Sequence, residues 1–275
     1  MERCPAEQNY EQEGKNRKME WLDRFTEVMD CISGHPTEGI GISDLARETN
    51  LSKSTVHRML SSMMLHQLVT QNLQTKQYML GPKAMFWGSQ YLRSQDPIGL
   101  MGRYCEEIST KTGLYSYLSR FQGDQVYCTH THQPSDLRNK FFVHVGQRLP
   151  FYCCAASKAI LAYQGAERIR TLLANETLLP ITPFTLSNRE DVELELKTVL
   201  KEDIAYCLQE LEIGVSAISV PIFHEERKTS MSLSVVGESS VIESNKEFII
   251  DQLKIVSEKA SEHLKSMHLL TSIKL

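Results

Sequence analysis

No run of apolar residues in this 275-residue chain approaches the ~20 needed to cross a bilayer, which excludes a helical membrane protein. The opening stretch, MERCPAEQNYEQEGKNRKMEW, has no apolar core of the kind a secretory signal needs, so a cytoplasmic location is expected. Cysteines number seven, an odd count with no C-x-x-C spacing, which excludes a disulfide framework and reads as reduced thiols. G-x-S-x-G, H-E-x-x-H, the P-loop and G-x-G-x-x-G are all missing, so neither an enzyme nor a resident cofactor is expected. What remains is ordinary globular composition, 41% hydrophobic and 23% charged, at a length that suits two small domains.

The most informative absence is local. The net charge of −4 speaks against a nucleic-acid binder, but it is unevenly spread. Residues 1–48 carry 6 Lys/Arg against 11 Asp/Glu, and residues 96–275 carry 19 against 23. The 47 residues from Thr49 to Gln95 contain Lys53, Arg58, Lys76, Lys83 and Arg93 and no acidic residue. An acidic group close to DNA phosphates is repelled, so an acid-free segment suits a DNA-reading surface.

That segment encodes a recognisable unit. After a leader over 1–16 expected to be disordered, a helix begins near Met19 and presents Trp21, Leu22, Phe25, Val28, Met29 and Ile32 on one face. Gly34-His35-Pro36 ends it. Two short amphipathic segments follow, with Ser43 and Ser52 placed as N-caps and Asn50 between them suited to a left-handed backbone. They read as a helix-turn-helix with Leu45, Ala46, Leu51, Val56, Met59 and Leu60 inside and Lys53, Ser54, Thr55, His57 and Arg58 outside. Leu68–Gln71 and Gln77–Leu80 then form a hairpin whose tip carries Lys76, the wing of a winged helix. The unit spans 17–82, and a linker helix over 83–96 offers Met85, Trp87 and Tyr91 either as dimer contacts or as internal packing.

Residues 97–275 read as α+β, a mixed sheet with helices packed on it and room for a ligand. Strands are expected at Leu114–Phe121, Gln125–His132, Lys140–Val145, Ser216–Phe223 and Thr229–Val236. Helices are expected at Ile98–Thr112, Ala155–Tyr163, Ala166–Ala174, Asn188–Asp203 and Asn245–Met267. Within this part Cys128, His130 and His132 alternate on one strand, which would turn all three to one face as a zinc-type set, joined by Cys153, Cys154 or His144. The alternative is ordinary strand alternation. Cys153-Cys154 at a helix start could also lower a thiol pKa and make a redox sensor, the alternative being small buried thiols.

Three separated strings carry a resemblance. ISDLARETN-LSKSTVHRMLSSM with a wing ending in YMLGPK, then GQRLPFYCCAASKAILAY, then QELEIGVSAISVPIF with MSLSVVGES, are together similar to the IclR family of bacterial transcriptional regulators, from about Trp21 to Leu264. The resemblance implies a winged helix-turn-helix followed by a GAF/PAS-like effector-binding domain, acting as a homodimer or dimer of dimers on a pseudo-palindromic double-stranded DNA operator. It implies DNA contacts from Ser43, Ser52, Lys53, Ser54, Thr55, His57, Arg58 and Lys76. It further implies a small-molecule effector, of carboxylate type, held by Ala155 and Ala156 at a helix N-terminus and by Ser234, with Leu137, Phe141, Leu149 and Val215 as walls. Control of a catabolic operon for a small organic or sugar-derived acid follows from the same likeness; the alternative is a metal- or thiol-responsive regulator. The chain departs from the family pattern at Asn50-Leu51-Ser52, where Gly-Leu-Pro is usual, and at Ala156-Ser157-Lys158, where a Gly before the Lys is common. It also departs at Cys207, where the pocket often has an acid.

Overall fold

The computed structural model describes residues 21–94, 100–134 and 142–272, so the expected leader and the residues Leu137 and Phe141 lie outside the described residues. The chain divides into two compact units, one through Ser94 and one from Gln95. Among the described residues no helix is long and apolar enough to cross a membrane.

The first unit holds α1 (Trp21–Ser33), α2 (Ile42–Glu48), α3 (Lys53–Leu65), β1 (Val69–Gln71), β2 (Tyr78–Leu80) and α4 (Pro82–Ser94). Val28 and Ile32 of α1 are buried with Leu45, Val56, Leu60 and Met63, whereas Trp21 and Leu22, expected on the same face, are exposed. Trp21 stacks instead on Phe25, one turn further along. Ser43 does not cap α2. The helix begins two residues earlier than that cap implies, with the extended Gly41 as its cap and the Gly41 carbonyl accepting from the Leu45 N–H.

Both α2 and α3 end in the same device. Asn50 and Gln67 each adopt a positive φ, 51° and 59°. The next residue reaches back five positions, Leu51 N–H to Ala46 C=O at 3.1 Å and Leu68 N–H to Met63 C=O at 2.9 Å. This is the Schellman pattern, which satisfies carbonyls the helix leaves open and turns the chain sharply. It sets α2 against α3, and α3 against the wing. Gly81 completes the second junction, donating to the Leu68 carbonyl at 2.7 Å. A Cβ added at Gly81 would lie 2.3 Å from the Gln67 carbonyl oxygen, so only glycine fits. Gly81→Ala is expected to cost this unit about 1–3 kcal/mol through forced backbone movement; thermal unfolding measures it, and an unchanged melting temperature would show that the junction yields freely.

The second unit is a six-stranded antiparallel sheet in the order β5-β4-β3-β8-β7-β6. Its strands are β3 (Tyr115–Gln122), β4 (Gln125–His132), β5 (Arg148–Leu149), β6 (Ala205–Leu208), β7 (Val215–Glu225) and β8 (Lys228–Glu238). One face carries α6 (Ala155–Leu161), α7 (Ala166–Ala174) and α8 (Arg189–Glu202); the other carries α5 (Gly102–Thr112) and α10 (Lys246–Ser272), with α9 (Ser239–Ser244) leading into α10. Alternation along β3 feeds two separate cores, Tyr115 and Tyr117 into the α6 side and Leu118 into the α10 side. The expected strand at Lys140–Val145 is not formed over its described residues 142–145. A turn with Gly146 at φ 87° intervenes, and pairing with β4 proceeds at Arg148–Leu149.

Candidate DNA-binding face and ligand cavity

Ser52 caps α3, its hydroxyl accepting from the Thr55 N–H at 3.2 Å and lying 2.8 Å from the Thr55 hydroxyl. These two side chains are thereby spent on building the helix start. The apolar Val56, Met59, Leu60 and Met63 are drawn into the core, which turns Lys53, Ser54, His57, Arg58 and Ser61 outward as one exposed strip. No acidic residue stands in the first turn, so the positive end of the helix dipole and its free N–H groups are unopposed. Lys76, exposed, sits at the wing tip in the left-handed region at φ 60°, where its N–H donates to the Asn72 carbonyl and the Asn72 carboxamide caps the turn. Ser43 is exposed in the first turn of α2. The one basic residue of α2, Arg47, is paired with Asp44 at 2.8 Å.

A cavity of about 230 Å³ opens on the α6 face of the sheet. Register explains its floor: Tyr115, Val236, Ala217 and Cys207 are cross-strand neighbours in one row and so share a face. Val236, Ala217 and Cys207 line the cavity together with Tyr117, Cys154, Leu149 and Val215, while Phe142, Gln147 and Arg148 line it from β5 and the segment before it. The lining is mainly apolar; its polar groups are the Cys154 and Cys207 thiols, the Tyr117 phenol, Gln147, Ser216, Arg148 and Glu212. Arg148 is the one cation among the described lining residues, and its guanidinium binds Glu176 at 2.8 Å.

Of the residues implied as effector contacts, Leu149, Cys207 and Val215 line this cavity, but Ala155, Ala156 and Ser234 do not. The reason is packing. Ser219, Ser232 and Ser234 form a small-residue floor on which α6 lies, with Ser232 donating to the Ala156 carbonyl at 3.1 Å and Ser234 to the Ser219 hydroxyl at 2.8 Å. The Ala156 and Ser157 N–H groups act on the Cys154 thiol, working against the upward push of burial on its pKa. Tyr117, Val236 and Arg148 escaped the sequence reading, and Cys154 was read there as a metal ligand or reactive thiol rather than as a cavity residue. Arg148 had a signal, as the arginine of the G-x-R-x-P string, and Val236 had one in the alternation of β8.

A family model for the C-terminal domain of the bacterial transcriptional regulator IclR matches residues 89–262, and one for the IclR helix-turn-helix domain matches residues 22–73. The chain belongs to the IclR family. Among IclR-family relatives, the HTH-type transcriptional regulator XynR of Escherichia coli K12 is 28% identical over 78% of this chain and 84% of its own length. An IclR-type regulator from Alicyclobacillus acidocaldarius superposes with a TM-score of 0.74 at 25% identity, covering 88% of this chain and 98% of that one. An IclR homologue from Microbacterium hydrocarbonoxydans, crystallised with 4-hydroxybenzoate, superposes with a TM-score of 0.71 at 20% identity over 89% and 99% of the two chains. This IclR-family chain is therefore a transcriptional regulator with an N-terminal DNA-binding helix-turn-helix and a C-terminal ligand-binding domain.

The strand register also corrects the metal reading. Cys128, His130 and His132 do not share a face, because a bulge lets Leu118 pair with His130 and Ser119 with Cys128, leaving Thr129 extra. Cys128 joins the core beneath α6, whereas His130 packs on Gly102 at the start of α5. His132 pairs with Ser116, whose hydroxyl bonds the α5 backbone at Cys105, so it too is on the α5 side. The activated-thiol reading fails as well: burial pushes both Cys153 and Cys154 up, the reverse of activation. What the sequence reading missed entirely is an ion pair inside this face. Lys158 is fully buried and donates to Glu210 at 2.6 and 2.9 Å and to the Tyr206 carbonyl at 3.0 Å.

Proposed function

We propose that this regulator binds a pseudo-palindromic operator through the exposed strip of α3, with Lys53 and Arg58 as its principal cations, and is controlled by a small carboxylate held in the 230 Å³ cavity. The observation that carries the reading is the presence in one chain of a basic, acid-free recognition helix and a mainly apolar cavity whose charged lining residues, among those described, are Arg148 and Glu212. The volume lies below the ~300–1,000 Å³ of drug-sized pockets, which favours a ligand of a few carbons or one ring. An apolar body fits among Val215, Val236, Leu149 and Tyr117, and its carboxylate exchanges for Glu176 on Arg148. The 4-hydroxybenzoate of the Microbacterium homologue has this chemistry. A homodimer or dimer of dimers supplies two recognition helices for two half-sites, with the exposed Met85 and Trp87 on α4 as candidate contacts; the side chain of Tyr91 lies outside those described. Regulation of a catabolic operon for a small organic or sugar-derived acid is the matching role.

Ligand preference for one arrangement of effector domains would shift the spacing of the recognition helices. Calorimetric titration with 4-hydroxybenzoate as the probe tests the cavity. Val215→Trp, which fills it, is expected to weaken binding of that probe or a related small carboxylate at least about tenfold. Equal affinity in the variant would move the ligand site elsewhere.

A further inference from the structure

Among the described residues, a cluster of metal-ligating side chains lies in the N-terminal unit, apart from the exposed strip of α3. Cys31 in the last turn of α1, His35 in the turn after it and Glu48 at the end of α2 bring a thiol, an imidazole nitrogen and a carboxylate oxygen within 4.8 Å of one another. We propose that these three residues form a transition-metal site of the zinc class that ties the end of α1 to the end of α2 in the DNA-binding unit.

Three features support it. The ligand types are the right ones, since thiolate, imidazole and carboxylate together suit zinc and leave a fourth position for water. The spacing is close to closure: the Cys31 sulfur already lies 3.1 Å from Glu48 Oε2, and a tetrahedral zinc ion holds its ligand atoms about 3.5 Å apart. The histidine is oriented in advance. Its Nδ1 lies 3.0 Å from the Cys31 carbonyl, which leaves Nε2 to ligate, the arrangement in which a backbone carbonyl fixes a metal-bound imidazole. The backbone around it is held too, with the Gly34 N–H on the Asp30 carbonyl and the His35 N–H on the Ile32 carbonyl.

The charge balance favours a cation. Glu27 stands one turn before Cys31 on α1, so a second carboxylate is near the thiol besides that of Glu48. Without an ion the Cys31 thiol stays protonated and donates to Glu48. Coordination replaces that S–H bond by an S–metal bond and releases the proton to solvent, with no change of oxidation state. None of the α3 strip residues takes part, so metal and DNA do not compete for the same atoms. The role this implies is to brace α2, the first helix of the helix-turn-helix, against α1.

The test uses the full-length chain, freed of metal by chelation under reducing conditions and titrated with Co²⁺ and then Zn²⁺. One ion per chain, with a thiolate-to-cobalt charge-transfer band, is expected. Cys31→Ser should abolish the band and weaken Zn²⁺ binding at least about tenfold, and His35→Gln and Glu48→Gln should each weaken it comparably. Cys4→Ser, which removes the thiol of the amino-terminal segment, should leave binding unchanged. Zn²⁺ should also raise the melting temperature of the wild-type chain but not of Cys31→Ser, with circular dichroism checking that each variant folds. Failure to bind either ion, retention of full affinity in the Cys31, His35 and Glu48 variants, or loss of binding through Cys4→Ser alone would overturn the proposal.

Discussion

Lys158→Met is expected to destabilise the C-terminal unit by about 3–5 kcal/mol, the cost of leaving a buried charge without its partner. Lys158 has no exposed surface, and the side chain of Glu210 is 8% exposed. Removing the ammonium takes away both ion-pair hydrogen bonds and the bond to the Tyr206 carbonyl. The carboxylate then has two courses, to stay charged and unpaired or to take up a proton. Even with Lys158 present, burial pushes the Glu210 carboxyl above its ordinary range, although the lysine opposes this. In the variant that opposition is gone, so the folded pKa rises further while the unfolded value stays ordinary. A carboxyl whose folded pKa is raised binds more protons in the folded state. Stability of the variant should therefore fall as pH rises through the window between the two values, and the deficit should be largest at neutral pH and smaller in mild acid. Urea unfolding at several pH values reads this directly. Lys158→Met with Glu210→Leu removes the two buried charges, leaving the partly exposed Glu195 carboxylate that lies 3.8 Å from Lys158 Nζ, and should recover most of the loss, because well-packed apolar residues often replace a buried pair without cost. A single variant as stable as the wild type at neutral pH would mean that Glu210 reaches water or another cation.

Arg58→Ala should abolish detectable operator binding while leaving folding intact. A base-edge or phosphate contact from arginine is worth about 1–3 kcal/mol, and two half-sites lose it together. Arg58 is exposed and contributes nothing to the buried core of α3, so its truncation has little to unfold. Lys53→Ala should behave differently. It stands at the first position of α3, where a lysine meets phosphate, and its loss should weaken binding to all sequences alike and lower the salt dependence by about one counterion per protomer. Fluorescence anisotropy over a salt series separates the two patterns. Wild-type affinity in Arg58→Ala would remove α3 from the proposed docking.

The N-terminal unit was legible in the sequence because local signals and tertiary packing agree there. Ser52, Asn50 and the apolar spacing of α3 each specify backbone geometry within a few residues, and the structure uses them as read. Ser43 misled because a serine one residue inside the helix looks like a cap, while Gly41 has no side chain to announce one. Strand β6 was invisible: AYCL has neither β-branched residues nor a turn on both sides, and it forms by pairing with the edge of β7. The metal reading around Cys128 failed on a single extra residue, Thr129, since one bulge inverts the facing of everything after it. The cavity was half legible. Leu149 and Val215 sit in strings that carry the family likeness, but the ring from Tyr117 to Val236 depends on sheet register, which no local pattern encodes.

The distribution of sulfur in the C-terminal unit has a practical side. Cys105, Cys128, Cys153, Cys154 and Cys207 are all buried free thiols, with Cys105 in the core under α10 and the other four in the core that surrounds the cavity. Burial also holds Cys128 and Cys207 up at about 12, so the closed protein offers an alkylating reagent almost no thiolate on either. Labelling must then wait for the unit to open, and the chain carries its own clock for that breathing. Because the thiols are divided between the two sides of one sheet, mass spectrometry of the labelled peptides reports which side parted first.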